Sequence, residues 1–195
     1  MLLYINIRSL RKIKQMNRYI AFLRGINISG KNKIVMSELK EKFEQINFTD
    51  VSTYLNSGNV IFSSENDNIA ELKHSIEEMI YKEFGLSIPV YIIDREHIED
   101  VLANAPQWWG TEDKDKYDNL IFILSSDTAE GICDLVGQPS EGLETIEVYD
   151  DIIFWTFDKK AYQKCNWWKR TAGAGIAEKL TIRTANTVKK MCKWS

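Results

Sequence analysis

Short apolar runs alternate with amphipathic stretches along the first half of the chain. Four β-prone runs occupy residues 19–23, 51–55, 60–63 and 90–93. Apolar residues recur at helical spacing between them, near residues 36–46 and 69–84. The resulting order, strand-helix-strand-strand-helix-strand, is typical of a ferredoxin-like α+β unit. We therefore predict one antiparallel sheet, with both helices on one face because each carries a single apolar stripe.

The second half shows the same order of elements, although not the same residues. A linking helix is predicted over residues 95–104 and a polar connecting loop over 107–118. The predicted strands are 120–124, 145–149, 152–157 and 181–183, the predicted helices are 128–136 and 160–180, and a basic turn or helix follows at 187–193. The 160–180 helix is expected to be interrupted near residues 173–175, where two glycines flank an alanine. The pattern thus predicts two tandem ferredoxin-like units, residues 16–94 and 119–195, joined by residues 95–118.

The amino-acid composition excludes several classes of protein. The 195 residues are 44% hydrophobic with only three prolines, which argues against a disordered chain. No apolar run approaches the roughly 20 residues that a membrane span needs. The three cysteines lack C-x-x-C spacing, which favours reduced thiols and a cytoplasmic location. Both histidines lie in Glu-rich helical stretches, and acidic pairs such as Asp150-Asp151 are expected to be solvated turn residues. We therefore predict no metal and no cofactor.

Charge is distributed unevenly, although the net charge is only −3. Residues 1–15 are basic, contain no acid and precede a second methionine, so we interpret them as an N-terminal extension outside the fold. Residues 159–195 contain ten Lys or Arg and one acid. This basic C-terminal segment either packs against the acidic body or attracts phosphate groups.

Within that segment, residues 166–170 (NWWKR) combine aromatic and basic side chains. Single-stranded nucleic acid is held by such combinations, through stacking on rings and contacts to phosphates. Trp167 and Trp168 point about 100° apart on a helix, so one of them is expected in the core. Binding of nucleic acid is therefore an alternative that the sequence disfavours.

The polar loop of residues 24–33 (RGINISGKNK) is the strongest candidate for ligand binding. It resembles a phosphate-binding P-loop, but Asn32 replaces the Ser or Thr and helical periodicity begins only near Met36. Nucleotide hydrolysis is thus disfavoured, which leaves a wide turn or an anion-binding loop. The candidate ligand-binding residues are the cations Arg24, Lys31 and Lys33, the glycines Gly25 and Gly30, which permit close backbone approach, the turn-shaping Asn27, and Arg183 from the second unit.

The turn of residues 56–59 (NSGN) has amides and a hydroxyl that could also contact a polar ligand. We expect this turn and the 24–33 loop to lie at opposite ends of the first sheet. One small ligand would then contact both only if the second unit or another chain contributed.

Three strings resemble signatures of the family called domain of unknown function 1697. They are AFLRGINISGKNKIVMSEL at 21–39, TYLNSGNVIFSS at 53–64 and, more weakly, TIRTANTVKKM at 181–191. In the third string Thr184-Ala185 replaces the Asn-Trp that is usual in the family. The resemblance covers residues 16–193 and implies two ferredoxin-like α+β units, but no established activity, cofactor or catalytic residue. Convergence of the first and third strings in space would bring Arg183 to the 24–33 loop.

These observations favour a cytoplasmic binding or interaction module with an anionic small molecule or polar ligand at residues 24–33. Two alternatives remain open. One is an enzyme acting on a phosphorylated small molecule at the same loop, and the other is single-stranded nucleic-acid binding by the basic C-terminal segment. The residues identify no catalytic group and no oligomeric state.

Overall fold

The chain has an α+β architecture built on two antiparallel sheets. The computed structural model describes residues 16–194, so the predicted N-terminal extension, residues 1–15, lies outside the described residues. Within the described part, each half of the chain forms one four-stranded sheet. No helix in residues 16–194 is long and apolar enough to cross a membrane.

The first half forms a sheet that is covered on one face by two helices. Its elements are β1 (Asn17–Leu23), α1 (Met36–Gln45), β2 (Thr49–Tyr54), β3 (Asn59–Ser64), α2 (Ile69–Phe84) and β4 (Val90–Asp94). The strand order is β2-β3-β1-β4, and every pairing is antiparallel. The predicted single antiparallel sheet is therefore confirmed.

Local signals explain where the helices of the first half begin and end. The side chain of Asn68 accepts hydrogen bonds from two backbone N–H groups in the first turn of α2. Gly85 ends this helix in the left-handed conformation, with φ of 67°. On α1, Leu39 and Phe43 are buried and face the sheet, as the single apolar stripe predicts.

The second half follows the linking helix α3 and has the corresponding strand order. Its elements are α3 (Arg95–Ala103), β5 (Lys116–Ile123), α4 (Ala129–Val136), β6 (Glu144–Tyr149), β7 (Ile152–Asp158), α5 (Asn166–Thr171), β8 (Leu180–Thr184) and α6 (Ala185–Trp194). The sheet order is β6-β7-β5-β8, again antiparallel throughout.

The helix predicted over residues 160–180 is wrong in its extent. Two 3₁₀ turns, Tyr162–Lys164 and Ala177–Lys179, flank the six-residue helix α5. The Asp158 carboxylate accepts the backbone N–H groups of residues 160 and 161, which favours a turn directly after β7. Beyond α5, Gly175 has φ of 84°, which no continuing α-helix can accommodate.

The two sheets pack face to face and share one apolar layer. Side chains alternate along β1, so Tyr19 and Leu23 face α1 and α2, whereas Phe22 faces the second sheet. The rings of Phe22 and Phe122 stack with their centroids 4.6 Å apart. Helices α3 and α6 complete this layer. The candidate loop at the end of β1 therefore lies close to both halves.

Candidate functional site

The 24–33 loop is held in one conformation by the side chain of Asn27. Its Nδ2 donates to the backbone oxygens of Ile34 and Asn56, each at 2.9 Å. Its Oδ1 accepts the Ile34 N–H at 2.9 Å, and its own backbone N–H donates to the Asn32 oxygen at 3.1 Å. Asn27 adopts φ of 55°, a left-handed conformation that asparagine tolerates. One amide side chain thus ties the loop to itself and to the β2–β3 turn.

Two further hydrogen bonds hold the tip of the loop. The Asn32 side chain donates to the Gly25 oxygen at 3.0 Å, and the Lys31 N–H donates to the Ile28 oxygen at 2.9 Å. Gly25 and Gly30 both have positive φ, and a Cβ added at either would meet nothing within 4 Å. The backbone is therefore open to a ligand at both glycines.

The loop and the β2–β3 turn lie at the same end of the first sheet, so the expectation that they lie at opposite ends is wrong. The Leu23 N–H donates to the Gly58 oxygen at 2.8 Å, where β1 ends and β3 is about to begin. The reason is the antiparallel pairing of β1 with β3, which places the end of one strand beside the start of the other. A single ligand can therefore contact both segments.

The three cations of the loop differ in their surroundings. The Arg24 Nε donates to the backbone oxygens of Ala177 and Leu180, at 3.0 and 3.1 Å, in the second half. Within the described residues, its two terminal nitrogens make no hydrogen bond or ion pair, and neither do the exposed ammonium groups of Lys31 and Lys33. The loop thus carries positive charge that residues 16–194 do not neutralise by direct contact.

Three branched apolar side chains in or near the loop are exposed to solvent. Ile28, Val35 and Leu55 are 59%, 56% and 55% exposed, respectively. The first two flank the tip of the loop, and Leu55 begins the neighbouring β2–β3 turn. Such side chains are available to the apolar portion of a ligand that binds at this loop.

Arg183 reaches the end of β1, but its guanidinium is occupied by protein acceptors. The Nε donates to Asn59 Oδ1 at 2.6 Å, and Nη2 donates to the oxygens of Leu23 and Ser57 at 2.7 and 3.1 Å. The side chain is 9% exposed, and burial lowers its pKa to about 10. The first and third signature strings do meet in space, and at this meeting point Arg183 joins the two halves.

The basic C-terminal segment is divided between two faces of the second sheet. Trp167 is fully buried, whereas Trp168 is 41% exposed and packs its ring against Phe157 and Tyr162. Lys190 lies on α6, which packs against the opposite face of that sheet from α5. Two other cations pair with acids of the body, in the ion pairs Lys160–Asp115 and Lys179–Asp127. Lys164, Lys169 and Arg170 are exposed near Trp168, so the interpretation in which basic residues pack against the acidic body holds for these two pairs, and nucleic-acid binding stays a prediction.

The structure also forms one cluster that the sequence pattern did not predict. His97 on α3 lies beside Asp150 and Asp151 in the β6–β7 turn, with Nε2 2.9 Å from Asp150 Oδ2 and 3.9 Å from Asp151 Oδ1. The expectation of solvated turn acids is thus incomplete, because the pair faces an imidazole. No sequence spacing signals the cluster, since only the packing of α3 against the second sheet brings residue 97 to residues 150 and 151.

Comparison with known proteins identifies one family and a similar solved structure. The family model described as "Protein of unknown function (DUF1697)" matches residues 16–154, a range that contains the first two signature strings but not the third. The structure is similar to the one described as "The structure of conserved bacterial protein SP0830 from Streptococcus pneumoniae", with a TM-score of 0.81 and 28% identity. That match covers 92% of this chain and 99% of the other. No curated protein matches the chain significantly.

Proposed function

Because the chain belongs to the DUF1697 family, a family of unknown function, we propose a function from the geometry at the end of β1. The protein is a binding module, and its 24–33 loop takes an anionic ligand. Lys31 and Lys33 supply charge at the tip of the loop. Arg24 supplies charge at its base, where the Glu178 carboxylate partly offsets it. The glycines at positions 25 and 30 let the ligand approach the backbone N–H groups.

The observation that carries this proposal is the bracing of a loop whose charged groups remain unneutralised. Asn27 and Asn32 use their side chains to fix the loop, yet the ammonium groups of Lys31 and Lys33 make no hydrogen bond or ion pair within the described residues. A surface fixed in advance loses less conformational entropy when it binds. Turns that contain left-handed residues also present successive N–H groups as concavities that bind anions. The first effect favours any ligand that fits the loop, and the second, together with the lysine charges, favours an anion over a cation or a neutral sugar.

The neighbouring apolar side chains support a ligand that has both an anionic group and an apolar group. An anionic group at Lys31 would leave Ile28 and Leu55 beside the remainder of the ligand. Burial of apolar area contributes about 25 cal/mol for each Å² removed from water, so an apolar group attached to the anion would add affinity. We therefore propose a phosphate- or carboxylate-bearing ligand with an apolar portion rather than an inorganic ion.

We also propose that each half is a ferredoxin-like unit. In the first half, the strand order β2-β3-β1-β4 with both helices on one face supports this assignment. The second half has the same strand order, but short turns and α5 stand in place of its second crossover helix. In such a unit the 24–33 loop would join the first strand to the first helix, and here it would lie beside the second unit.

A calorimetric titration with phosphate, sulfate and ATP tests the binding proposal. We expect wild type to bind ATP more tightly than phosphate, and Lys31→Ala and Lys33→Ala each to weaken binding several-fold, as loss of an exposed charge contact does. Lys114→Ala is the matched control, because it removes the same charge at the opposite end of the second sheet. Equal affinities for all four proteins would refute the proposal. Release of phosphate from ATP that depends on Lys31 would instead favour the enzyme.

A further inference from the structure

We propose that His97, Asp150 and Asp151 form a site for a divalent transition metal that links α3 to the β6–β7 turn. One nitrogen and two carboxylate oxygens from these residues lie within 4.8 Å of one another. Ligand atoms at about 2.1 Å from one ion lie roughly 3–4 Å apart, depending on the coordination angle. The observed 2.9 Å and 3.9 Å separations from His97 Nε2 fall at the two ends of this range.

The surroundings of the His97 Nε2 atom provide a second, independent observation. Its Nε2 has essentially no exposed surface and makes no hydrogen bond, although Asp150 Oδ2 lies only 2.9 Å away. The oxygen therefore lies away from the direction in which an N–H at Nε2 would point. This arrangement fits a metal ion that occupies the lone-pair direction of Nε2, with the second ligand to one side of it. A buried imidazole nitrogen without a partner is otherwise costly.

Neighbouring groups orient the ligands. The Tyr91 hydroxyl donates to Asp151 Oδ2 at 2.9 Å, which leaves Oδ1 as the atom nearest the imidazole. At the start of α3, Asp94 Oδ1 accepts the His97 backbone N–H at 2.8 Å and fixes the position of that residue. The bond from Tyr91 is an outer contact of the kind that is typical of ligating carboxylates, whereas the bond to Asp94 caps the helix.

The donor set indicates which ions fit. One imidazole and two carboxylates suit Mn²⁺, Co²⁺ or Zn²⁺, whereas Mg²⁺ and Ca²⁺ prefer oxygen ligands alone. Three protein ligands leave the remaining positions of the ion to water. Because the two carboxylates are 63% and 53% exposed, an ion could enter from solvent. The bound ion would neutralise two adjacent negative charges and hold the linking helix against the second sheet.

The test is a calorimetric titration of chelator-treated protein with MnCl₂, an ion that thiolates bind poorly. We expect one site, and an affinity at least about tenfold weaker in Asp150→Asn and in His97→Ala. Asp150→Asn is nearly isosteric and exposed, so it should fold as wild type does, which circular dichroism verifies. Tyr91→Phe should weaken binding to a smaller extent.

Two matched controls separate this site from general binding to the acidic surface. His74→Ala removes the other histidine of the chain, which is exposed on α2, and Asp134→Asn removes an exposed carboxylate on α4. Both should bind Mn²⁺ as wild type does. Absence of binding by wild type at millimolar Mn²⁺, or unchanged binding by Asp150→Asn, would overturn the proposal.

Discussion

Arg183 Nη2 donates a 2.7 Å hydrogen bond to the backbone oxygen of Leu23 and so joins the last strand of the second sheet to the first strand of the other. No described carboxylate lies within ion-pair distance of this guanidinium, and its acceptors are carbonyl, amide and hydroxyl oxygens. The ring of Phe22 lies 5.3 Å beneath it. The two halves are therefore held together by a buried cation as well as by the shared apolar layer.

Replacement of this cation should strongly destabilise the fold. Arg183→Met keeps much of the side-chain volume but leaves the Asn59 and Leu23 oxygens buried without donors. Unpaired buried polar groups cost about 1–3 kcal/mol each, so we expect the free energy of unfolding to fall by about 3–5 kcal/mol. Urea denaturation measures this loss. Arg183→Lys should restore little of it, because an ammonium group cannot reproduce the planar fork of donors.

Arg24→Ala is the matched control for that experiment. Arg24 also bridges the two halves, but it is only half-buried and donates to backbone oxygens through Nε alone. Its loss should cost about 1 kcal/mol, the usual net value of a hydrogen bond. Similar effects of Arg24→Ala and Arg183→Met would contradict the role that we assign to Arg183.

Gly58→Ala should destabilise the end of the first sheet where the candidate loop lies. The residue has φ of 78°, and an added Cβ would lie 2.7 Å from Leu23 Cβ. The left-handed conformation costs alanine about 1–2 kcal/mol, and overpacking costs about 1–3 kcal/mol more. Gly85→Ala has similar φ but open space around its added Cβ, so it should show only the first cost. Equal losses of unfolding free energy in the two variants would rule out the close approach.

The Asp127–Lys179 ion pair should make a pH-dependent contribution to stability. Lys179, and then Ser125, hold the pKa of the Asp127 carboxyl below its usual value. A depressed carboxyl pKa stabilises the fold above the unfolded value of about 3.9 and loses this effect as pH falls through the folded value. The difference in Tm between wild type and Asp127→Asn should therefore shrink between pH 6 and about pH 3. A constant difference would show that the charge is not involved.

Cys165 should be the slowest of the three cysteines to react with iodoacetamide. Its side chain is fully buried, its Sγ lies 3.6 Å from the Ala161 oxygen, and burial raises the pKa of the thiol to about 11. At pH 8 only about one thousandth would then be thiolate, which is the reactive form. Mass spectrometry of partly alkylated protein should show Cys133 labelled before Cys165. Faster labelling of Cys165 would contradict its burial.

The strands and the main helices could be predicted because their signals are local. Alternation along β1, the apolar stripe of α2 and the glycine at position 85 each depend on residues that are close in sequence. The single antiparallel sheet of the first half was predicted from the order of elements. The helix predicted over residues 160–180 was wrong, because Asp158 and the glycines near position 174 favour turns over a continuous helix.

The arrangement of the candidate sites could not be predicted, because it depends on contacts between distant segments. The position of the 24–33 loop beside the β2–β3 turn follows from how β1 pairs with β3. Four of the six hydrogen-bond acceptors of Arg183 belong to the first half, far away in sequence. His97 meets Asp150 only because α3 packs against the second sheet.

The most direct test of the binding proposal is a titration of ¹⁵N-labelled protein with ATP, followed by amide chemical shifts. The largest, saturable changes are predicted at Gly25, Gly30 and Lys31, with smaller changes in the β2–β3 turn around Gly58. The same changes should be reduced in Lys31→Ala and preserved in Lys114→Ala. No change in these amides, or changes confined to residues 159–194, would contradict the proposal that the 24–33 loop is the ligand-binding surface.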